Sequence, residues 1–164
     1  MVSKQDFTPE EWATILMSPT IAGMAITAAD PSGLWGMLKE SFAGGAALVE
    51  AKANPNGNPL VAAVVADFET ADGRGEIKEA LKTRFAAAKP DTVVPEALAV
   101  LQEVASILDA KAPDDGAGFK AWLEDISLKV AEASKEGGFL GFGGVQVSDA
   151  EKATLADIQK TLSA

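Results

Sequence analysis

The chain has 164 residues, neither cysteine nor histidine, and 24 acidic against 14 basic side chains, for a net charge of −10. Disulfides, thiolate or imidazole metal ligation, a Ser-His-Asp triad and the Glu-x-x-His di-iron pair are therefore excluded. The acidity, with Lys and Arg scattered singly rather than in a basic stripe, speaks against nucleic acid and anionic membranes and fits a cytoplasmic protein kept apart by charge.

Hydrophobic residues make up 48% of the chain and aromatics only 6%, without tyrosine, a balance that favours closely packed helices over a sheet. Thr8-Pro9-Glu10-Glu11 places Thr at an N-cap, Pro at the first helical position and Glu three after the cap. It predicts a helix over 8–17 with Trp12 as a core anchor. Ser18-Pro19 repeats the cap-then-Pro device and predicts a new helix over 19–29. The apolar stretch 18–29 is too short for a bilayer, and MVSKQDFTPEEW has no apolar signal core, so no transmembrane segment is expected. Asp30-Pro31 begins a third helix over 31–52, where Gly44-Gly45 marks a kink or a close neighbour and Glu40 and Glu50 sit on solvated faces. After the turn-rich NPNGN, Asn58-Pro59 begins a fourth over 59–70.

DFETADGRGEI, residues 67–77, is expected to be a glycine-rich turn before a fifth helix over 75–88. Asp72, Gly73, Gly75 and Ile77 match part of an EF-hand loop. In that register, however, Thr70, Arg74 and Leu81 stand where three ligands belong, including the bidentate Glu. Asp67, Glu69 and Asp72 are left as a weak cation site, and no metal or other cofactor is assigned. Val94, Leu98, Leu101, Ala105 and Leu108 form the apolar stripe of a helix over 94–110. Asp114-Asp115 after Pro113 cap the next, 116–135, whose stripe is Phe119, Trp122, Leu123, Ile126 and Val130. The capping box Ser148–Glu151 opens the last helix, 148–162, with Leu155, Ile158 and Leu162 facing inward. Glu10-Glu11 and Asp149/Glu151 fall in first turns, where the helix dipole favours negative charge, and no carboxylate pair suggests acid–base catalysis. The fold class expected is all-α: one domain over 1–164, a bundle of about seven or eight short helices.

Residues 137–144 read GGFLGFGG. A phosphate-binding loop would need G-x-x-x-x-G-K-[ST], and a dinucleotide turn would need a preceding strand; neither is present here, although GGVQV could run extended. Phe139, Leu140 and Phe142 either fold inward as a core plug or meet a partner. The stretch has an echo. At an offset of 105 residues, Ile21, Ala28, Gly33 and Gly36 fall on Ile126, Ala133, Gly138 and Gly141, and Leu34-Trp35 falls on Phe139-Leu140. If this is a duplication, two helix–loop–helix units pack about a pseudo-twofold axis and the two apolar loops take related places.

The stretch VAEASKEGG…VSDAEKATLADIQKTL, residues 130–162, resembles the tellurite-resistance TerB-like family, and AGMAITAADPSG, residues 22–33, resembles it more faintly. The resemblance implies a small all-helical domain with two pseudo-symmetric halves, linked to stress resistance, partner assembly and, in some members, metal binding through acidic turns. An Asp-rich metal turn would fall where this chain has GGFLGFGG, so the metal site does not carry over. GFLGFGG is also similar to a C-terminal loop of bacterial proteins without an assigned activity. The function expected is a non-enzymatic, stress-associated interaction protein that meets a protein partner or itself through Leu34, Trp35, Phe139, Leu140 and Phe142. A protein binding a small hydrophobic ligand is the alternative, and a weak metal-ion-binding TerB-like domain is third.

Overall fold

Helix α1, Pro9–Ala29, is the hub of the molecule. The computed structural model describes residues 2–29, 57–136 and 147–164. The predicted helix 31–52 with its Asp30-Pro31 start, Gly44-Gly45, Glu40, Glu50, GGFLGFGG and the glycines of the repeat lie outside the described residues. After a short 3-10 turn, Lys4–Asp6, come α1, then α2, Pro59–Phe68, α3, Ala71–Arg84, α4, Val93–Lys111, α5, Pro113–Glu136, and α6, Asp149–Ser163. All regular structure among the described residues is helical, as the composition implies.

The sequence predicts two helices where α1 is one. Pro19 lies inside it, and its missing N–H would leave the carbonyl of Ile15, four residues back, without its helical donor. The Ser18 hydroxyl donates to that carbonyl at 2.7 Å. The expected cap is thus a mid-helix repair, fully buried at 0% exposure. Ser18→Ala is therefore expected to cost about 1–3 kcal/mol, the range for a buried acceptor left bare. In a Pro19→Ala background residue 19 regains its N–H, and urea unfolding should show the Ser18→Ala cost reduced by about 1 kcal/mol or more. Equal costs in both backgrounds would contradict the repair.

Because α1 carries apolar side chains on every side, it must be surrounded, and it touches each of the other helices, α4 and α5 most extensively. Its length and mean hydropathy of 1.4 would suffice to cross a membrane, against the expectation that the apolar stretch is too short, yet 72% of that window is buried by the neighbouring helices. Trp12, Ile15, Leu16, Ile21 and Ile26 of α1 meet Leu60, Leu101, Leu108, Phe119, Leu123, Ile158 and Leu162 in one cluster. Each such side chain stabilises by about 1.5–3 kcal/mol.

The apolar stripes hold with one rotation. In α4 the buried line begins at Val93 and Ala97, while Val94 and Leu98 are only half-buried. The helix begins one residue before the expected start, and Val93 rather than Val94 turns inward. Trp122 is also half-buried, with its ring edge-on to Phe119 at 5.4 Å between centroids. Capping follows the sequence closely. Thr8 and Glu11 exchange bonds across the first turn of α1, the Thr8 N–H donating to Glu11 Oε2 at 2.7 Å and the Glu11 N–H to Thr8 Oγ1 at 3.2 Å. Asn58 Oδ1 accepts the N–H groups of Leu60 and Val61 at 2.9 and 3.2 Å. Ser148 and Glu151 form the predicted capping box. The start of α5 is earlier than expected, at Pro113, so Asp114 and Asp115 occupy its first turn instead of preceding it.

Residues 71–75 are not a turn. Thr70 caps α3, accepting the Gly73 N–H at 2.8 Å and donating to the Asp67 carbonyl at 2.7 Å. This corner is so tight that a Cβ on Gly73 would sit 2.0 Å from the Asp67 carbonyl oxygen. The first glycine is therefore needed for close approach inside a helix rather than for loop freedom.

Candidate functional site

All five residues assigned to a partner surface, Leu34, Trp35, Phe139, Leu140 and Phe142, lie outside the described residues. Their anchors do not. Leu34-Trp35 follow α1, which ends at Ala29, and Phe139-Leu140 follow α5, which ends at Glu136. Val147, the first described residue after the second stretch, is half-buried against the core. The Ser148 N–H then donates to Glu151 Oε2 at 2.8 Å. Glu151 is itself only 3% exposed, so the first turn of α6 is packed into the bundle. Ile21 and Ile126, which align at the 105-residue offset, are both buried, on helices that pack against one another.

The most developed polar cluster among the described residues surrounds Asp67 at the end of α2. Its Oδ2 accepts from Trp12 Nε1 at 2.7 Å and from Lys4 Nζ at 2.8 Å. Lys4 also lies 3.7 Å from Glu76 and 5.8 Å from the centroid of the Trp12 ring, and Phe7 packs on the same indole at 5.9 Å. Burial opposes ionisation of Asp67 and is the largest single influence on it. The hydrogen bonds from Lys4 and Trp12, joined by the Lys4 charge, outweigh burial and hold the carboxyl below its ordinary value. Lys4 is raised in turn, chiefly by its bond to Asp67. A carboxylate held ionised between a cation and a buried indole N–H is a clasp for the N-terminal segment, with no proton to exchange near neutrality.

This geometry also redirects the acidic set Asp67, Glu69 and Asp72. Asp67 turns toward Lys4 and Trp12, the Glu69 carbonyl accepts from Arg74 Nη1 at 2.5 Å, and Asp72 is exposed in the first turn of α3. No three acidic side chains among the described residues converge to hold a metal ion. A second clasp joins the start of α2 to α5. Asn58 Nδ2 donates to the Asp115 carbonyl at 2.5 Å, and Asp115 Oδ2 accepts the Val2 N–H at 3.3 Å.

One charged feature escapes the sequence. Lys and Arg look scattered when α3 is started at residue 75. With the helix beginning at Ala71, Arg74, Lys78 and Lys82 fall on one exposed line, four residues apart. The apolar surface of the described helices, by contrast, is nearly closed: Leu128, at 45%, is the only exposed large hydrophobic residue among those described. No protein-family model, curated protein or solved structure matches the chain.

Proposed function

We propose that the chain is a non-enzymatic interaction protein whose contact surface is built from Leu34, Trp35, Phe139, Leu140 and Phe142. The observation that carries this is the closure of the rest. The described helices draw their large apolar side chains into one core and leave only Leu128 exposed. This favours the apolar residues that follow α1 and α5 in the sequence as the source of a hydrophobic contact large enough to bind a partner. A duplicated helix–loop–helix unit would set the two apolar pairs in related places, and self-association through them is the simplest use of such symmetry. The TerB-like resemblance adds a stress-linked role in partner assembly, and the acidity adds a cytoplasmic setting.

Light scattering of the wild type and of Phe139→Ser/Phe142→Ser tests this. The expected result is a wild type of at least twice the 16.9 kDa chain mass, with the variant falling to a single chain while its helical circular dichroism persists. A variant that unfolds, or a wild type already at a single chain mass, goes against self-association through this surface.

A further inference from the structure

Helix α3 stands at the edge of the bundle, with only Gly73 and Ile77 buried. On its outer side Arg74, Lys78 and Lys82 are all exposed, at a spacing that stacks side chains with Cβ atoms about 5–6 Å apart. Like charges in such a row weaken a helix; Lys82, in the last turn of α3, is favoured there by the helix dipole, but Arg74 in the first turn and Lys78 in the middle are not. Elsewhere among the described residues Lys4, Arg84, Lys111, Lys120, Lys129 and Lys152 each lie within 4.0 Å of a carboxylate. Among the described residues Lys78 and Lys82 have no such partner, as is also true of Lys89 and Lys160, but only Lys78 and Lys82 stand in one row, in a chain with a surplus of ten negative charges. Arg74 heads the row, fixed by its bond to the Glu69 carbonyl.

A second, independent feature falls on the same face. Gly75 lies one turn after Ala71 and one before Lys78, is exposed, and a Cβ on it would meet nothing within 4 Å. Glycine weakens a helix interior relative to alanine, and here no internal contact requires it. What a bare backbone at an open position does allow is the close approach of another chain.

We propose that the face formed by Ala71, Arg74, Gly75, Lys78 and Lys82 docks an acidic helical segment of a partner protein. The partner's backbone lies against Ala71 and Gly75, and its carboxylates, one turn apart, pair with Lys78, Lys82 and the free edge of Arg74. The row is one cation wide and bordered by the exposed Asp72 and Glu79. A nucleic acid, with a charge every ~1.7 Å of duplex axis, would be driven onto that acidic border. A peptide can place neutral or basic residues there. The inference uses none of Leu34, Trp35, Phe139, Leu140 and Phe142 and does not rest on the reading of them as a partner surface.

Fluorescence anisotropy with a labelled peptide of repeated Glu-Ala-Ala-Ala units provides the test, using the full chain. The wild type is expected to bind, more weakly as salt is raised. Lys78→Glu/Lys82→Glu should lose at least about tenfold in affinity, and Gly75→Leu should weaken binding with circular dichroism unchanged. Lys152→Glu/Lys160→Glu on α6 makes the same change in net charge and should bind like the wild type. The proposal is overturned if the wild type does not bind the peptide, if the α6 pair loses as much as the α3 pair, or if a single-stranded oligonucleotide of equal charge binds more tightly.

Discussion

Gly73→Ala is expected to lower the unfolding free energy by about 3 kcal/mol, while Gly75→Ala, two residues further along the same helix, should raise it by about 1 kcal/mol. The two positions share a helix and differ in what surrounds them. A methyl group on Gly73 would press on the Asp67 backbone, 2.0 Å from its oxygen and 2.7 Å from its carbon, and a backbone cannot swing aside as a side-chain tip can. The clash would loosen the corner that also sets Asp67 toward Trp12. At Gly75 the methyl group points into open space, and the helix gains the propensity of alanine without strain. Urea unfolding of the two single variants measures both signs. A mild effect at Gly73, equal to that at Gly75, would mean that α2 and α3 do not close as tightly as described.

Asp67→Ala should cost about 2 kcal/mol at neutral pH, the larger part from Trp12. That indole is 1% exposed, and its N–H would lose its acceptor. Lys4 is 52% exposed and regains water, so Lys4→Ala alone should cost less than about 1 kcal/mol. The pH dependence has a definite sign. The Asp67 carboxyl is held below its ordinary value of 3.8, so its contribution is fully present above that value and is lost as pH falls through the lowered folded value. Lys4, raised above 10.5, contributes below that pH and loses its contribution as pH rises through its folded value. The stability difference between wild type and Asp67→Ala should therefore be flat across the neutral range and narrow in acid. A difference that widens on acidification would show that the carboxylate is not the form the clasp requires.

Much of this architecture is legible in the sequence because caps are local. Thr8, Asn58 and Ser148 announce helix starts through side chains that bond the backbone two or three residues on, and each does so in the fold. What fails is the reading of Pro and Gly as punctuation. Pro19 follows a serine that looks like a cap, but the serine reaches back to Ile15, and only the tertiary need for one long central helix decides between the two uses. Gly73 and Gly75 suggest a loop, yet Thr70 caps a helix just before them and Asp67 supplies the reason for the first. A helix start at residue 75 leaves Arg74 outside the helix and conceals the Arg74–Lys78–Lys82 row, which the start at Ala71 aligns. Leu34, Trp35, Phe139, Leu140 and Phe142 stand out in the sequence because they are apolar and set among glycines, a local signal that is silent on which way the side chains face.

The absence of cysteine from the chain gives a direct test of that direction. The single thiol introduced by Leu140→Cys can be followed with a maleimide in dilute and in concentrated protein. An interaction surface predicts rapid modification when dilute and protection when concentrated, lost again with Phe142→Ser. A thiol protected at every concentration would place this segment in the core, and one equally reactive at every concentration would remove it from the interface.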